Sequence, residues 1–226
     1  NIIKTYDKML EKLEKQQNKK IKIEADFSIA TYCLPCALVR MRELYPNHEY
    51  NLNSNSSDEI ERDVINDICD VGFINRPPKE DLMYNHVVQE KVVLISLPGY
   101  NIPEKFELKE ILNHPLVILK DECIIKDNLD KSLQKIGYST DDLNILTKLE
   151  STEALKTVVQ KGYGLAFVPY NAVKKENETN DLKISRVKDY NLDYNIYLIN
   201  KNKEELSSRA REFINGFIDL GNNICC

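Results

Sequence analysis

Residues 20–28 read KIKIEADFS. Ile21, Ile23 and Ala25 alternate with Lys22 and Glu24. That period of two is the mark of a strand with one face turned to a core. Asp26-Phe27-Ser28 follows as a turn, and a helix then runs to Tyr45 with Leu34, Leu38, Met41 and Leu44 as its apolar stripe. Pro46 ends it, because proline cannot continue a helical ladder. Tyr50-Asn51-Leu52-Asn53 reads as a second strand. Ser56 with Glu59 three residues on is a capping-box signature, opening a helix with Ile60, Val64, Ile65 and Ile68 on one face. Asp70-Val71-Gly72-Phe73-Ile74 is a short buried strand. Strands alternating with helices in this order predict a parallel sheet.

Outward from this block the plan repeats. His86 to Leu97 is β-prone until Pro98-Gly99 breaks it. Leu116 to Leu119 reads as a strand, and Leu129, Leu133 and Ile136 mark a helix ending at Gly137. Leu143 to Leu149 is a strand, Ser151-Thr152 caps a helix through Lys161, and Gly164 to Val168 is a buried strand closed by Pro169. Leu182 to Val187 and Tyr194 to Ile199 are strands, and Glu204 to Leu220 is a terminal helix. The expected fold class is α/β, with two Rossmann-like lobes joined by two crossover strands. Lobe I takes residues 20–95 plus 191–221, lobe II takes 96–190, and 222–226 form a tail. Residues 1–18 read as a polar helix with Ile3, Tyr6, Leu10 and Leu13 at coiled-coil spacing. The stripe suits either a partner helix or the helix's own domain.

Composition narrows the function classes. The chain has 226 residues, 30% charged and 42% hydrophobic, with a formal net charge of -5. That balance does not suit a DNA-binding surface. No apolar run reaches membrane-spanning length, so no membrane association is expected. The first stretch is charged and shows no signal peptide pattern, and the lack of an initiator Met at residue 1, an Asn, suggests that an upstream part is missing. Six cysteines are spread thinly over a long chain, which fits a reduced, cytoplasmic setting better than a disulfide framework. Cys33 and Cys36 would share one helix face. They suit a redox pair, half a metal site, or two small hydrophobes in a core, and the last carries most weight. No second Cys/His pair stands at ligand spacing, so no metal is expected. The seven glycines form no phosphate-cradling cluster, and no cofactor is expected. No nucleophile elbow, triad or metalloenzyme spacing appears, so the chain does not read as an enzyme.

Taken in order, the motifs resemble the LysR substrate-binding domain over residues 20–221. Leu34-Pro35 followed by Tyr45-Pro46 is similar to that family's first helix and its exit. Asp70 to Ile74 resembles its short buried strand, and Asn113-His114-Pro115-Leu116-Val117 the start of its second lobe. Ser151-Thr152 through Val159, then Gly162 to Pro169, resemble its late helix and strand. Each motif is weak alone; the ordered set is specific. The resemblance implies a periplasmic-binding-protein type 2 architecture with a small-molecule effector between the lobes. It implies that the first helix is a dimerising linker to a winged helix-turn-helix domain absent here. DNA would then be contacted only through that missing domain, and the assembly would be a homodimer or homotetramer.

Ligands of open α/β sheets sit beyond the carboxyl ends of parallel strands, at helix N-termini. Ser28 and Ser57 match positions that contact effector in the family; plain N-capping is the alternative for both. Ser56, Asn75 and Arg76 join them from the first lobe, and Lys120 and Thr152 from the second. Asp26, Asp121 and Glu122 stand at the same strand ends, so a polar effector is as well suited as an anionic one. A transporter's solute-binding protein on the same fold is the competing reading. A secreted receptor would carry a leader sequence where this chain carries a coiled-coil stripe.

Overall fold

The computed structural model describes residues 20–120, 123–202, 204 and 206–221. The expected first helix, Asp121-Glu122 and the tail 222–226 lie outside the described residues. In chain order the elements are β1 (Lys20–Asp26), α1 (Phe27–Tyr32), α2 (Leu34–Leu44), β2 (Glu49–Asn55), α3 (Ser57–Ile65), β3 (Val71–Ile74) and β4 (Met83–Glu90). They continue with β5 (Val92–Ser96), β6 (Lys105–Phe106), β7 (Leu116–Leu119), α4 (Ile124–Gln134), β8 (Ile145–Leu149), α5 (Thr152–Gln160) and β9 (Ala166–Pro169). The last are α6 (Lys174–Glu178), β10 (Lys183–Val187), β11 (Tyr194–Asn200) and α7 (Ser208–Asp219).

The chain divides into two compact units, residues 1–88 with 196–226 and residues 89–195. The first unit is built on a sheet ordered β2-β1-β3-β11-β4. β1 runs parallel to β2 and β3, and β11 joins β3 antiparallel. Parallel pairing forces the crossover helices α1, α2 and α3 onto the sheet. β3 is buried at all four positions, as a strand covered on both faces should be. Gly72 stands where a Cβ would lie 2.5 Å from Ile60 Cγ2 and 2.7 Å from Ile199 Cγ1, so only glycine lets α3 and β11 close on β3. α7 adds Phe213 and Phe217, with the Phe217 ring 4.8 Å from that of Phe73. The second unit holds a sheet ordered β6-β10-β5-β9 and a parallel pair, β7 and β8.

The structure departs from the sequence reading at several places. Asp26-Phe27-Ser28 is no turn: Phe27 begins α1 directly, with Asp26 as its N-cap. The single helix expected to Tyr45 is two, broken at Cys33. Pro35 is the physical reason, since its ring would meet the carbonyl of Thr31 in an unbroken helix. It sits instead in the first turn of α2, where a missing N–H costs nothing. Ile65 and Ile68, expected on the apolar face, are exposed, because α3 ends at Ile65 and Asp67 turns the chain at φ 57°. The run from His86 to Leu97 splits at Lys91 into β4 and β5. There the Val92 amide donates to Asp193 Oδ1 at 2.8 Å instead of continuing a ladder.

Glu24 is a finer departure. The alternation places it with Lys22 on the solvent side, yet it is buried and one of its oxygens has no hydrogen-bond partner among the described residues. Burial, followed by the adjacent Asp63 carboxylate, raises its pKa, and a hydrogen bond with Asn55 works the other way. A strand covered on both faces buries both sets of alternate residues, so a period of two cannot mark its outward positions.

The cysteine pair also differs from the weightier reading. Cys33 and Cys36 are not two independent hydrophobes; they are disulfide-bonded, Cys33 buried and Cys36 exposed. The break at Cys33 takes that residue out of the regular helix, in which Cβ atoms at i and i+3 lie about 5–6 Å apart, too far for the bond.

Candidate functional site

In the first unit, the parallel strands β1 and β2 end at Asp26 and Asn55, and β3 is followed by Asn75. A parallel register carries all three carboxyl ends to one edge. Asp26 organises that edge. Its Oδ1 accepts from the Ser28 amide at 3.2 Å and the Ser28 hydroxyl at 3.0 Å, and its Oδ2 accepts from Asn75 Nδ2 at 2.8 Å. The last bond joins residues 49 apart in sequence. Burial raises the Asp26 pKa, and the Ser28 and Asn75 donors oppose the shift. Thus two residues singled out in the sequence, Ser28 and Asn75, are held by a third.

Ser56 and Ser57 divide the work at the start of α3. Ser56 is the N-cap: its hydroxyl accepts from the Glu59 amide at 3.3 Å and donates to Glu59 Oε2 at 2.7 Å. Its own amide donates to Asn55 Oδ1 at 3.0 Å. Ser57 is the first helical residue, is buried, and its hydroxyl has no hydrogen-bond partner among the described residues. The N-capping alternative weighed for Ser28 and Ser57 therefore fails at both, since the caps are Asp26 and Ser56. A buried hydroxyl without a partner is disfavoured by the desolvation it suffers, which makes Ser57 a place where a ligand's polar atom would be welcomed.

Arg76 is placed differently from the expectation. Its guanidinium, mostly buried, is held by Asp58 and Glu61, and it also donates to the Pro77 carbonyl at 3.0 Å. Glu61 is itself buried and further accepts from the Lys79 amide at 2.8 Å. Lys79 Nζ lies 2.8 Å from Asp58, and these two cations hold the Asp58 carboxyl below the usual range. With both ends of its fork on carboxylates, Arg76 fastens the loop after β3 to α3 and has little left to offer an anion.

In the second unit β7 and β8 are parallel, and their carboxyl ends carry Lys120 and Glu150. Lys120 is exposed, 3.6 Å from Glu150. Thr152 is the first residue of α5, capped by Ser151, whose hydroxyl accepts from the Ala154 amide at 3.2 Å. A cavity of about 340 Å³ also opens in this unit, lined by Lys91, Arg186, Lys188, Tyr190 and Asp193 among others. Two of its cations are engaged already: Lys188 lies 3.2 Å from Glu107, and Arg186 sits over the Tyr170 ring. No residue singled out in the sequence lines it.

Sequence reasoning missed the parts that Asn55 and Asp26 play. Asn55 supplies the acceptor for the Ser56 amide and a hydrogen bond to Glu24. The only signal was position, an Asx residue at the last place of each of two parallel strands.

Comparison with known proteins follows the same geometry. The profile of the LysR substrate binding domain matches residues 14–219. A probable RuBisCO transcriptional regulator of Phaeodactylum tricornutum is 28% identical over 209 residues, covering 89% of this chain and 67% of that protein. The chain spans about two thirds or less of the length of the first curated relatives it matches. Among solved structures, the Synechocystis CcmR regulatory domain in complex with 2-PG superposes with a TM-score of 0.80 at 16% identity, covering 91% of this chain and 98% of that one. The effector binding domain of QuiR in complex with shikimate gives 0.77 at 13% identity, covering 92% and 99%. These likenesses fix the fold as the two-lobed, periplasmic-binding-protein type 2 kind. Among the described residues no helix is long and apolar enough to cross a membrane.

Proposed function

This chain belongs to the LysR substrate-binding domain family, and from that premise we propose that it senses a small polar or anionic metabolite for a DNA-binding transcriptional regulator. The observation that carries the reading is Ser57: a buried hydroxyl without a hydrogen-bond partner among the described residues, at the N-terminus of α3, beside the strand-end network of Asp26, Ser28 and Asn75. These residues hold the ligand in the first lobe, and Lys120 and Thr152 are the candidates that the second lobe offers. An effector moves the regulator only through differential affinity for its two states. A coupling of about 1–3 kcal/mol suffices to alter DNA affinity usefully.

DNA is contacted by a helix-turn-helix domain N-terminal to this chain, the working unit is a dimer or tetramer, and the compartment is the cytoplasm. Val39 and Leu44, exposed on α2, supply apolar surface for self-association. Family membership weighs against a transporter's solute-binding protein, and relatives named as transcriptional regulators weigh against an enzyme.

Calorimetry with 2-PG and shikimate as probes tests the site. Binding of either at micromolar to millimolar strength should weaken at least tenfold in Ser57→Ala and stay unchanged in Lys109→Ala. Equal affinities in the wild type and Ser57→Ala would remove Ser57 from the site. Light scattering that finds a monomer at micromolar concentration would remove the dimer.

A further inference from the structure

We propose that the Cys33–Cys36 bond is a reversible thiol–disulfide exchange site, served by a small or protein dithiol, whose redox state sets how firmly α1 is held. The spacing is that of redox-active cysteine pairs in βα contexts, and the pair lies on the first crossover after β1. The bond joins a buried sulfur-bearing residue to an exposed one, Cys33 at 3% relative exposure and Cys36 open to solvent. An incoming thiolate therefore meets one sulfur first, that of Cys36. The loop it closes is very short, so the bond restrains the unfolded chain less than a long-range disulfide would. Exposed disulfides of this kind are the labile ones.

The exchange balances as follows. A thiolate of the dithiol attacks Cys36 Sγ, the Cys33–Cys36 bond breaks, and Cys33 leaves as a thiolate. Cys33 is the N-cap residue of α2, and the helix terminus favours the negative charge on the departing sulfur. The second thiol of the dithiol then attacks the mixed disulfide and releases Cys36. Two electrons and two protons pass to the pair, and the dithiol becomes a disulfide; an oxidised dithiol runs the sequence backwards.

The position gives the chemistry a consequence. α1 is six residues long, fixed at its start by the Asp26 network and at its end by Cys33, whose amide donates to the Ile29 carbonyl at 3.0 Å. Opening the bond frees Cys33 from Cys36 and loosens the break between α1 and α2. The link to ligand rests on the placing of Ser28 in the effector site; the exchange itself does not.

The experiment uses the full chain carrying Cys123→Ser, Cys225→Ser and Cys226→Ser, without ligand. It is equilibrated in a series of reduced and oxidised dithiothreitol, alkylated, digested and weighed, with amide hydrogen exchange read in parallel. The peptide holding residues 33–36 should pass reversibly between unlabelled and doubly labelled in a single two-electron transition, with the chain folded throughout. Cys36→Ser, placed at an exposed position, should fold as the parent does and lose that transition. Reduction should speed exchange of the α1 amides by about tenfold, a local opening well short of global unfolding. A pair that resists dithiothreitol until denaturant is added would overturn the exchange site, as would two thiols that oxidised dithiothreitol fails to join. A clean redox transition with unchanged α1 exchange would overturn the coupling alone, and neither result bears on whether 2-PG or shikimate binds.

Discussion

The strand ends of the first unit and those of the second are made by the same topological device and finished in opposite ways. In the first, Asp26 binds Ser28 and Asn75 through bonds of 2.8–3.2 Å, one of them spanning 49 residues of sequence. Buried Glu61 locks the following loop through Arg76 and Lys79. In the second, the corresponding groups are an exposed lysine 3.6 Å from an exposed glutamate and a cap confined to α5. Preorganised donors lose little freedom on meeting a ligand, whereas free lysine side chains lose much. The difference is one of preorganisation: the strand ends of the first unit are tied by a long-range bond, and the described ones of the second by exposed contacts.

The largest test of this contrast is Gly72→Ala. Its Cβ would fall 2.5 Å from Ile60, pushing α3 off β3 and with it the serines at the start of α3. Urea denaturation should show a loss of about 2–3 kcal/mol, the range of overpacked cores. A loss below about 0.5 kcal/mol would mean that the first unit is softer than described.

Asp26→Asn comes next. Burial raises the Asp26 pKa, so its contribution to stability is full below the ordinary aspartate range and is lost as pH rises through the raised value. The asparagine variant keeps an acceptor for Ser28 and does not ionise. Its stability relative to wild type should therefore climb with pH across that window, in paired melts from pH 3 upward. A flat or falling difference would show that the hydrogen bonds outweigh burial.

Two adjacent serines sharpen the comparison further. Ser56→Ala removes the hydroxyl arm of a capping box, leaving the backbone amide of residue 56 on Glu59, and should destabilise by about 1 kcal/mol. Ser57→Ala removes a buried hydroxyl without a partner and should leave stability unchanged or raise it slightly. The reverse ranking in thermal melts would exchange their roles.

The smallest effect belongs to Lys120→Ala. An exposed pair at 3.6 Å contributes little, so stability should change by less than about 0.5 kcal/mol. A larger change would reveal order in the second unit that its contacts do not provide.

Most of the architecture was legible in the sequence because the longer elements announce themselves locally, whereas the short β6 and α6 do not. Apolar periodicity named the strands and the amphipathic helices, Ser56 and Glu59 announced their box, and Pro46 its stop. Alternation failed where both faces of β1 are covered, and the break at Cys33 hid because a stripe drawn from Leu34 to Leu44 looks the same whether one helix or two precede it. For the site, the sequence by itself determined which residues stand at strand ends, since chain order fixes that. It did not determine their duties. That Ser57 is buried and unengaged, that Arg76 is committed to Asp58 and Glu61, and that Asp26 ties Ser28 to Asn75 all depend on contacts between segments up to 49 residues apart. A side chain's identity states which bonds it is able to make; only the packed tertiary structure brings the partners within the 3 Å or so at which one of those bonds forms.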